Sequence, residues 1–210
     1  MKRSKWLVKA GLLLVMAVLL TVALRSGREI VERLDEYAEA RSEYAYLREI
    51  AGVGHNAYPA PCAENESGVT LVDFDALFAI NPRTVGWITL PDSTISYSIV
   101  QGSDNRHYLH HTFGGRRNAS GAIFLDYRDP PDFSGRAKIY GHNMRDGSMF
   151  SSLRAWEGDT FFIHTPRGDV MEFTVTFRDV LPLRDIVAIR DDVALITCVN
   201  GRPEIGRAHV

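Results

Sequence analysis

Apolar positions fall into three regimes along the chain. From Trp6 to Leu24 they are nearly continuous, WLVKAGLLLVMAVLLTVAL, broken by a single charge at Lys9, and the uninterrupted run from Ala10 is 15 residues long. With its Trp6–Val8 flank it reaches the length needed to cross a bilayer, Lys9 snorkelling to the headgroups. The run ends VALRSG, with Leu24 and Arg25 where a cleavage site would want small residues, so residues 1–25 read as an uncleaved signal-anchor. Residues 26–50 switch to near-helical spacing, with Ile30, Leu34, Tyr37 and Tyr44 on one stripe and Ser26 placed to cap with Glu29 three residues on. The prediction there is an amphipathic helix, either a solvated spacer or one packed on the following domain. An Ala/Pro/Gly-rich linker covers about 51–70.

Beyond it, LVDFDALFAIN predicts a short helix stopped by Pro82. The pattern then becomes short β-rich runs between turn residues: TVGWITL, TISYSIVQ, GAIFLDY, RAKIYGH, TFFIHT, VMEFTVTFRDVL, IVAI and VALITCV. About eight strands at such spacing predict a mainly β domain over 71–210, a closed or nearly closed β-barrel.

Charge sharpens this picture. The chain has 210 residues and a formal charge of −2, but its first 25 residues hold five basic residues and no acid, which leaves 19 basic against 26 acidic for the remainder. A net-acidic body lacks the positive footprint of a nucleic-acid binder. Lys2, Arg3 and Lys5 precede the apolar run, so the positive-inside rule predicts a cytoplasmic N-terminus, a single membrane pass and an extracellular domain after Arg25. No Gly-rich phosphate loop or dinucleotide fingerprint is present, and no cofactor is implied. His107, His110 and His111 invite a metal site, but no Cys or carboxylate completes a ligand set, and none is predicted.

Of two cysteines, Cys62 lies in the linker and Cys198 at the end of the apolar run ALITC. Base rates make a lone strand cysteine a small core residue. Company changes that reading: His142 sits in the Gly- and Asn-flanked exit of YGHNMRDGSMF, and Arg207 follows the compact turn VNGRPEIG. A thiol nucleophile needs an imidazole to exchange its proton, and an acyl transition state needs positive charge or fixed donors at its oxyanion. Cys, His and Arg supply those roles.

The stretch GSDNRHYLHHTFGGRRNASGAIFLDYRD, followed by KIYGHNMRDGSMFSSL, closely resembles the class B sortases, membrane-anchored cysteine transpeptidases of Gram-positive bacteria. ALITC is similar to their T-L-x-T-C motif. The resemblance covers about residues 70–210, and the anchor and helix of 1–50 fit the family layout. It implies a sortase-type barrel in which Cys198 is the nucleophile, His142 the catalytic histidine and Arg207 the essential arginine. It further implies that Asn105 and Leu109, in N-x-x-x-L, line the groove for the sorting signal, with Thr197 also at the site. The implied partners are surface proteins bearing a C-terminal sorting signal and an amine of a peptidoglycan precursor or cross-bridge. Ala194 stands where the motif usually has threonine, about 14 residues separate FTVTFRDV from ALITC where class B members carry a longer insertion, and the last strand looks clipped three residues after Arg207. Two other readings stay open from the residues alone. One is another wall-peptide cysteine acyltransferase, although ITCV lacks the Ser-His-Gly-Cys type motif of L,D-transpeptidases; the other is a non-catalytic, membrane-tethered β-barrel binding module.

Overall fold

A computed structural model of the chain describes residues 2–53, 72–91, 93–151, 153, 158–180, 193–199 and 202–209. The first element, helix α1 (Lys2–Ile50), runs without a break through both segments read separately from sequence. Ser26 therefore caps nothing: good helix formers flank it on both sides, and the lone Gly27 costs about 1 kcal/mol, too little to break the ladder. The chain divides into two units, residues 1–38 and 39–210.

In the first unit the apolar residues of α1 are exposed, Leu12, Leu13, Leu14, Leu19 and Leu20 all above 60%. The helix is long and apolar enough over part of its length to cross a membrane, which makes it a candidate anchor. Ile30 and Leu34, read as part of an amphipathic stripe, are also exposed.

In the second unit the end of α1 buries Ala40, Tyr44, Leu47 and, just past its end, Ala51. That i, i+4, i+7, i+11 spacing is one helical face. The Tyr44 hydroxyl donates to the Gly121 carbonyl at 2.7 Å, tying this turn to a loop 77 residues away. The 51–70 linker lies outside the described residues except for 51–53. Helix α2 (Phe74–Ile80) begins at Asp73, whose carboxylate accepts the Ala76 N–H at 2.9 Å, and ends at Asn81 before Pro82.

Eight strands follow among the described residues: β1 (Thr84–Thr89), β2 (Ser96–Gln101), β3 (Ile123–Leu125), β4 (Ala137–Tyr140), β5 (Thr160–His164), β6 (Val170–Val180), β7 (Val193–Val199) and β8 (Arg202–His209). They close into a barrel in the order β1-β2-β3-β4-β7-β8-β6-β5, with β5 pairing back on β1. All neighbours are antiparallel except β2–β3 and β4–β7. Closure leaves no free sheet edge to template aggregation.

Two features of the strand set differ from the sequence reading. The IVAI segment lies outside the described residues. VNGRPEIG, read as a compact turn, instead carries strand from Arg202 onward. The pairing Val199↔Arg202 leaves just two residues, Asn200 and Gly201, between the strands. Asn-Gly is the strongest short hairpin signal, because both positions of a two-residue loop favour positive φ.

Strands β3 and β4 and the stretch 193–197 of β7 are buried at almost every position, as strands covered on both faces must be. Trp87 and six or so phenyl rings, among them Phe113, Phe124, Phe150, Phe161 and Phe173, fill the interior. The Trp87 indole N–H is satisfied by Ser96 Oγ at 3.1 Å.

Tyr44→Phe is expected to lower stability by about 1–2 kcal/mol, because it strands a buried carbonyl without loss of packing volume. Denaturant unfolding checks this; an unchanged midpoint would show that the Tyr44–Gly121 bond does not anchor the end of α1.

Candidate active site

The parallel pairing of β4 and β7 builds the centre of the site. Its register runs Ala137↔Val193 to Tyr140↔Ile196, and the Gly141 N–H extends it by donating to the Ile196 carbonyl at 3.0 Å. Two residues past Tyr140 comes His142; two residues past Ile196 comes Cys198. Both stand in step at the same end of adjacent strands, which in a sheet lie about 4.8 Å apart.

Gly141 makes the strand exit possible. A Cβ there would lie 2.5 Å from Ile123 Cδ1 and 2.6 Å from Phe150 Cδ2, so any side chain would push β4 off the core. The chain then turns through Asn143–Met149, with the Asp146 carboxylate accepting the Ser148 hydroxyl at 2.6 Å. It returns so that the Phe150 N–H donates to the His142 carbonyl at 2.9 Å. The Met149 N–H, at a residue with φ of 56°, donates to the buried Tyr97 hydroxyl at 3.0 Å. The GHNMRDGSMF block is thus a loop whose ends grip the backbone of His142.

The half-buried His142 ring places Nε2 2.8 Å from the Leu109 carbonyl oxygen. Leu109 therefore meets the histidine through its backbone. Asn105 is held at both ends of its amide: Nδ2 donates to Asp126 Oδ2 at 3.0 Å and Oδ1 accepts the Tyr127 N–H at 3.1 Å. Thr197 is buried, and its hydroxyl has no hydrogen-bond partner among the described residues. Arg207 pairs with Ala194 on β7 and Phe177 on β6. Ala194 is four residues before Cys198, about 13 Å along a strand, so the register does not set Arg207 beside Cys198. Pro203 is the residue opposite Cys198, and Arg202 follows opposite Val199.

Asp126 went unnoticed in the sequence. It is fully buried just past β3 and gathers five donors: the Arg128 N–H at 3.0 Å, Arg128 Nε at 2.9 Å, Arg128 Nη2 at 2.8 Å, Asn105 Nδ2 at 3.0 Å and the Tyr140 hydroxyl at 3.1 Å. Burial alone would raise the Asp126 carboxyl, but the Arg128 guanidinium, the Arg128 N–H and the Asn105 amide outweigh it and hold it well below the ordinary carboxylate range. Burial first, then the Asp126 charge, pushes the Tyr140 phenol well above its usual value, so Tyr140 stays a neutral donor. Tyr140 is two residues before His142, and Asn105 four before Leu109. One ionised carboxylate therefore fixes both chain segments that meet at the histidine. The available signal was D-Y-R-D at the end of a wholly apolar strand, where an acid can be afforded only with a partner.

A second buried ion pair, Lys138 with Asp129, ties β4 to the same loop; Lys138 Nζ lies 2.6 Å from Asp129 Oδ1. The rings of His107 and His111 stack face to face, centroids 4.2 Å apart. Among the described residues no group of three metal-ligating side chains converges.

Comparison with known proteins agrees with this fold. The sortase domain model matches residues 88–207. Sortase B of Listeria monocytogenes is 32% identical over 168 residues, covering 79% of this chain and 64% of that protein. Sortase B of Staphylococcus aureus is 27% identical over 158 residues, 73% of this chain and 60% of that one. The chain thus spans less than two thirds of the length of these curated relatives. The crystal structure of sortase B from Bacillus anthracis in complex with AAEK1 superposes with a TM-score of 0.64 at 26% identity, covering 84% of this chain and 99% of that one.

Asp126→Asn leaves Arg128 without its anion and should cost about 2 kcal/mol at pH 7, less than the roughly 3–5 kcal/mol of a fully buried pair because Arg128 is partly exposed. The folded carboxyl is depressed, so its stabilisation is fully present above the unfolded value of about 3.9 and is lost as pH falls below it. The gap between wild type and Asp126→Asn should therefore close from about pH 4 downward. Denaturant midpoints measured from pH 7 to 3 check this; a constant gap would show that ionised Asp126 is not what the cluster depends on.

Proposed function

The chain belongs to the sortase family, and on that premise we propose that it is a class B-type cysteine transpeptidase held in the membrane by residues 1–25, with its N-terminus cytoplasmic and its barrel outside. The observation that carries this reading is the β4–β7 register, which sets His142 in step with Cys198.

As Cys198 sulfur bonds to the carbonyl carbon of a sorting-signal peptide, its proton passes to His142. Backbone N–H groups stabilise the oxyanion; the family position would add Arg207 to that role, although the β7–β8 register pairs Arg207 with Ala194 and not with Cys198. The imidazolium gives its proton to the departing amine as the C–N bond breaks, leaving a thioacyl-enzyme and a neutral His142. A cell-wall amine then attacks the thioester, His142 takes the amine's proton, and as the C–S bond breaks His142 passes that proton to sulfur, which restores the thiol and the neutral imidazole. The donors are surface proteins with a C-terminal sorting signal, and the acceptor is an amine of a peptidoglycan precursor or cross-bridge.

Incubating the full chain in detergent with a panel of sorting-signal peptides, with and without an acceptor amine, tests this by intact mass. A mass gain on Cys198 that the amine discharges is the predicted result. Cys198→Ala should give no adduct, and His142→Ala should slow acylation by about 10²- to 10⁴-fold. Covalent capture by Cys198→Ala would sink the assignment, and no adduct from wild type would favour the membrane-tethered binding module.

A further inference from the structure

A backbone carbonyl faces the His142 ring, and it is placed there by a glycine. Nε2 lies 2.8 Å from the Leu109 oxygen. A carbonyl oxygen has no proton to give, so this contact is a hydrogen bond only when Nε2 carries the hydrogen. The neighbouring carbonyls are all engaged within the loop: His107 oxygen accepts the His110 N–H at 3.1 Å, Tyr108 oxygen the Ala122 N–H at 2.9 Å, and His110 oxygen the Asn118 N–H at 2.9 Å. The Leu109 carbonyl points away from that ladder and toward His142.

Gly121 makes room for this peptide. It adopts φ of +57°, and a Cβ on it would lie 2.5 Å from the Tyr108 oxygen, 3.0 Å from the Leu109 oxygen and 3.1 Å from the Leu109 carbonyl carbon. The first distance is about 0.9 Å inside ordinary contact, which begins near 3.4 Å, and the atoms in the way are backbone. Gly121 is itself pinned, its N–H donating to the Asn118 carbonyl at 3.2 Å and its own carbonyl accepting from Tyr44.

We propose that the Leu109 carbonyl, seated against Gly121, is a positioning group that locks neutral His142 in the Nε2–H tautomer, so that Nδ1 is the nitrogen that exchanges a proton with Cys198 and the reacting amines. Nε2 then keeps its proton, donated to the Leu109 carbonyl, throughout turnover, and the ring cannot rotate without losing that bond. In this arrangement Leu109 acts through its main chain and tolerates side-chain change that leaves the loop intact. The catalytic part of the statement rests on the transpeptidase reading; the tautomer does not.

The full chain, labelled with ¹⁵N-histidine in detergent micelles, tests this at a pH well above the ordinary imidazole value of about 6.5. Two-bond ¹H–¹⁵N correlation, with the His142→Gln spectrum used to pick out the ring, should show a protonated Nε2 and an unprotonated Nδ1. A proton on Nδ1 instead overturns the proposal. Gly121→Ala should yield a mixture of tautomers and a loss of about 100-fold in the kcat for acylation with KM little changed, as for a catalytic group displaced by about 1 Å. Gly115→Ala is the control: it has φ of +83° in the same loop, but a Cβ there meets nothing within 4 Å, so it adds comparable strain without touching Leu109. Equal effects from both variants, or a Gly121→Ala enzyme with the wild-type tautomer and rate, would overturn the role of Gly121. If Gly121→Ala does not fold, the wild-type spectrum alone decides. If no peptide acylates Cys198, the transpeptidase reading fails while the spectrum still settles the tautomer.

Discussion

Everything at the candidate site depends on one pairing, the parallel ladder between β4 and β7. The two strands are separated by more than fifty residues of sequence, and parallel strands need a long crossover to meet. Once they do, the register carries residue 142 and residue 198 to the same end of the sheet. A slip of one residue would turn the buried side chains of the slipped strand to the opposite face. Because these strands are covered on both faces, the slip would cost the core as well as the site. Stability and site geometry are thus enforced by the same contacts.

Around that ladder, polar groups are fixed by buried charge rather than by solvent. Asp126 collects Arg128, Asn105 and Tyr140, while Asp129 takes Lys138 from the middle of β4. Such carboxylates are costly to bury unless every lone pair is used. Here Asp126 joins the end of β4 to the loop that carries Asn105 and Leu109, and so braces the backbone on which His142 stands, while Asp129 ties β4 to the loop that follows β3. Such bracing suits the proposed transpeptidation, in which His142 would serve successive proton transfers from one position.

Local chemistry was readable from the sequence, and long-range placement was not. Strand positions followed from short apolar runs between turn residues, and α2 from LVDFDALFAIN stopped by Pro82. The GHNM…GSMF block and ALITC pointed to His142 and Cys198, because their flanking residues encode local backbone shape. Ser26 misled, since a capping residue between two helical segments loses to a continuous helix. Asn200-Gly201 was a hairpin signal passed over, and with it the strand that puts Arg207 opposite Ala194. Asp126 could be recognised only once its partners, spread from Asn105 to Tyr140, were in place. Leu109 shows the deepest limit: the group that meets His142 is a carbonyl, and every residue has one.

The central claim, that the β4–β7 register sets residues 142 and 198 side by side, is open to a direct chemical ruler. Adjacent strands hold Cα atoms within the 4.4–6.8 Å span that a disulfide needs, roughly. In a Cys62→Ser background, His142→Cys should cross-link to Cys198 under mild oxidant, losing the mass of two hydrogens and both alkylatable thiols. A chain that keeps two freely alkylated thiols under those conditions would contradict the register, and the account of the site with it.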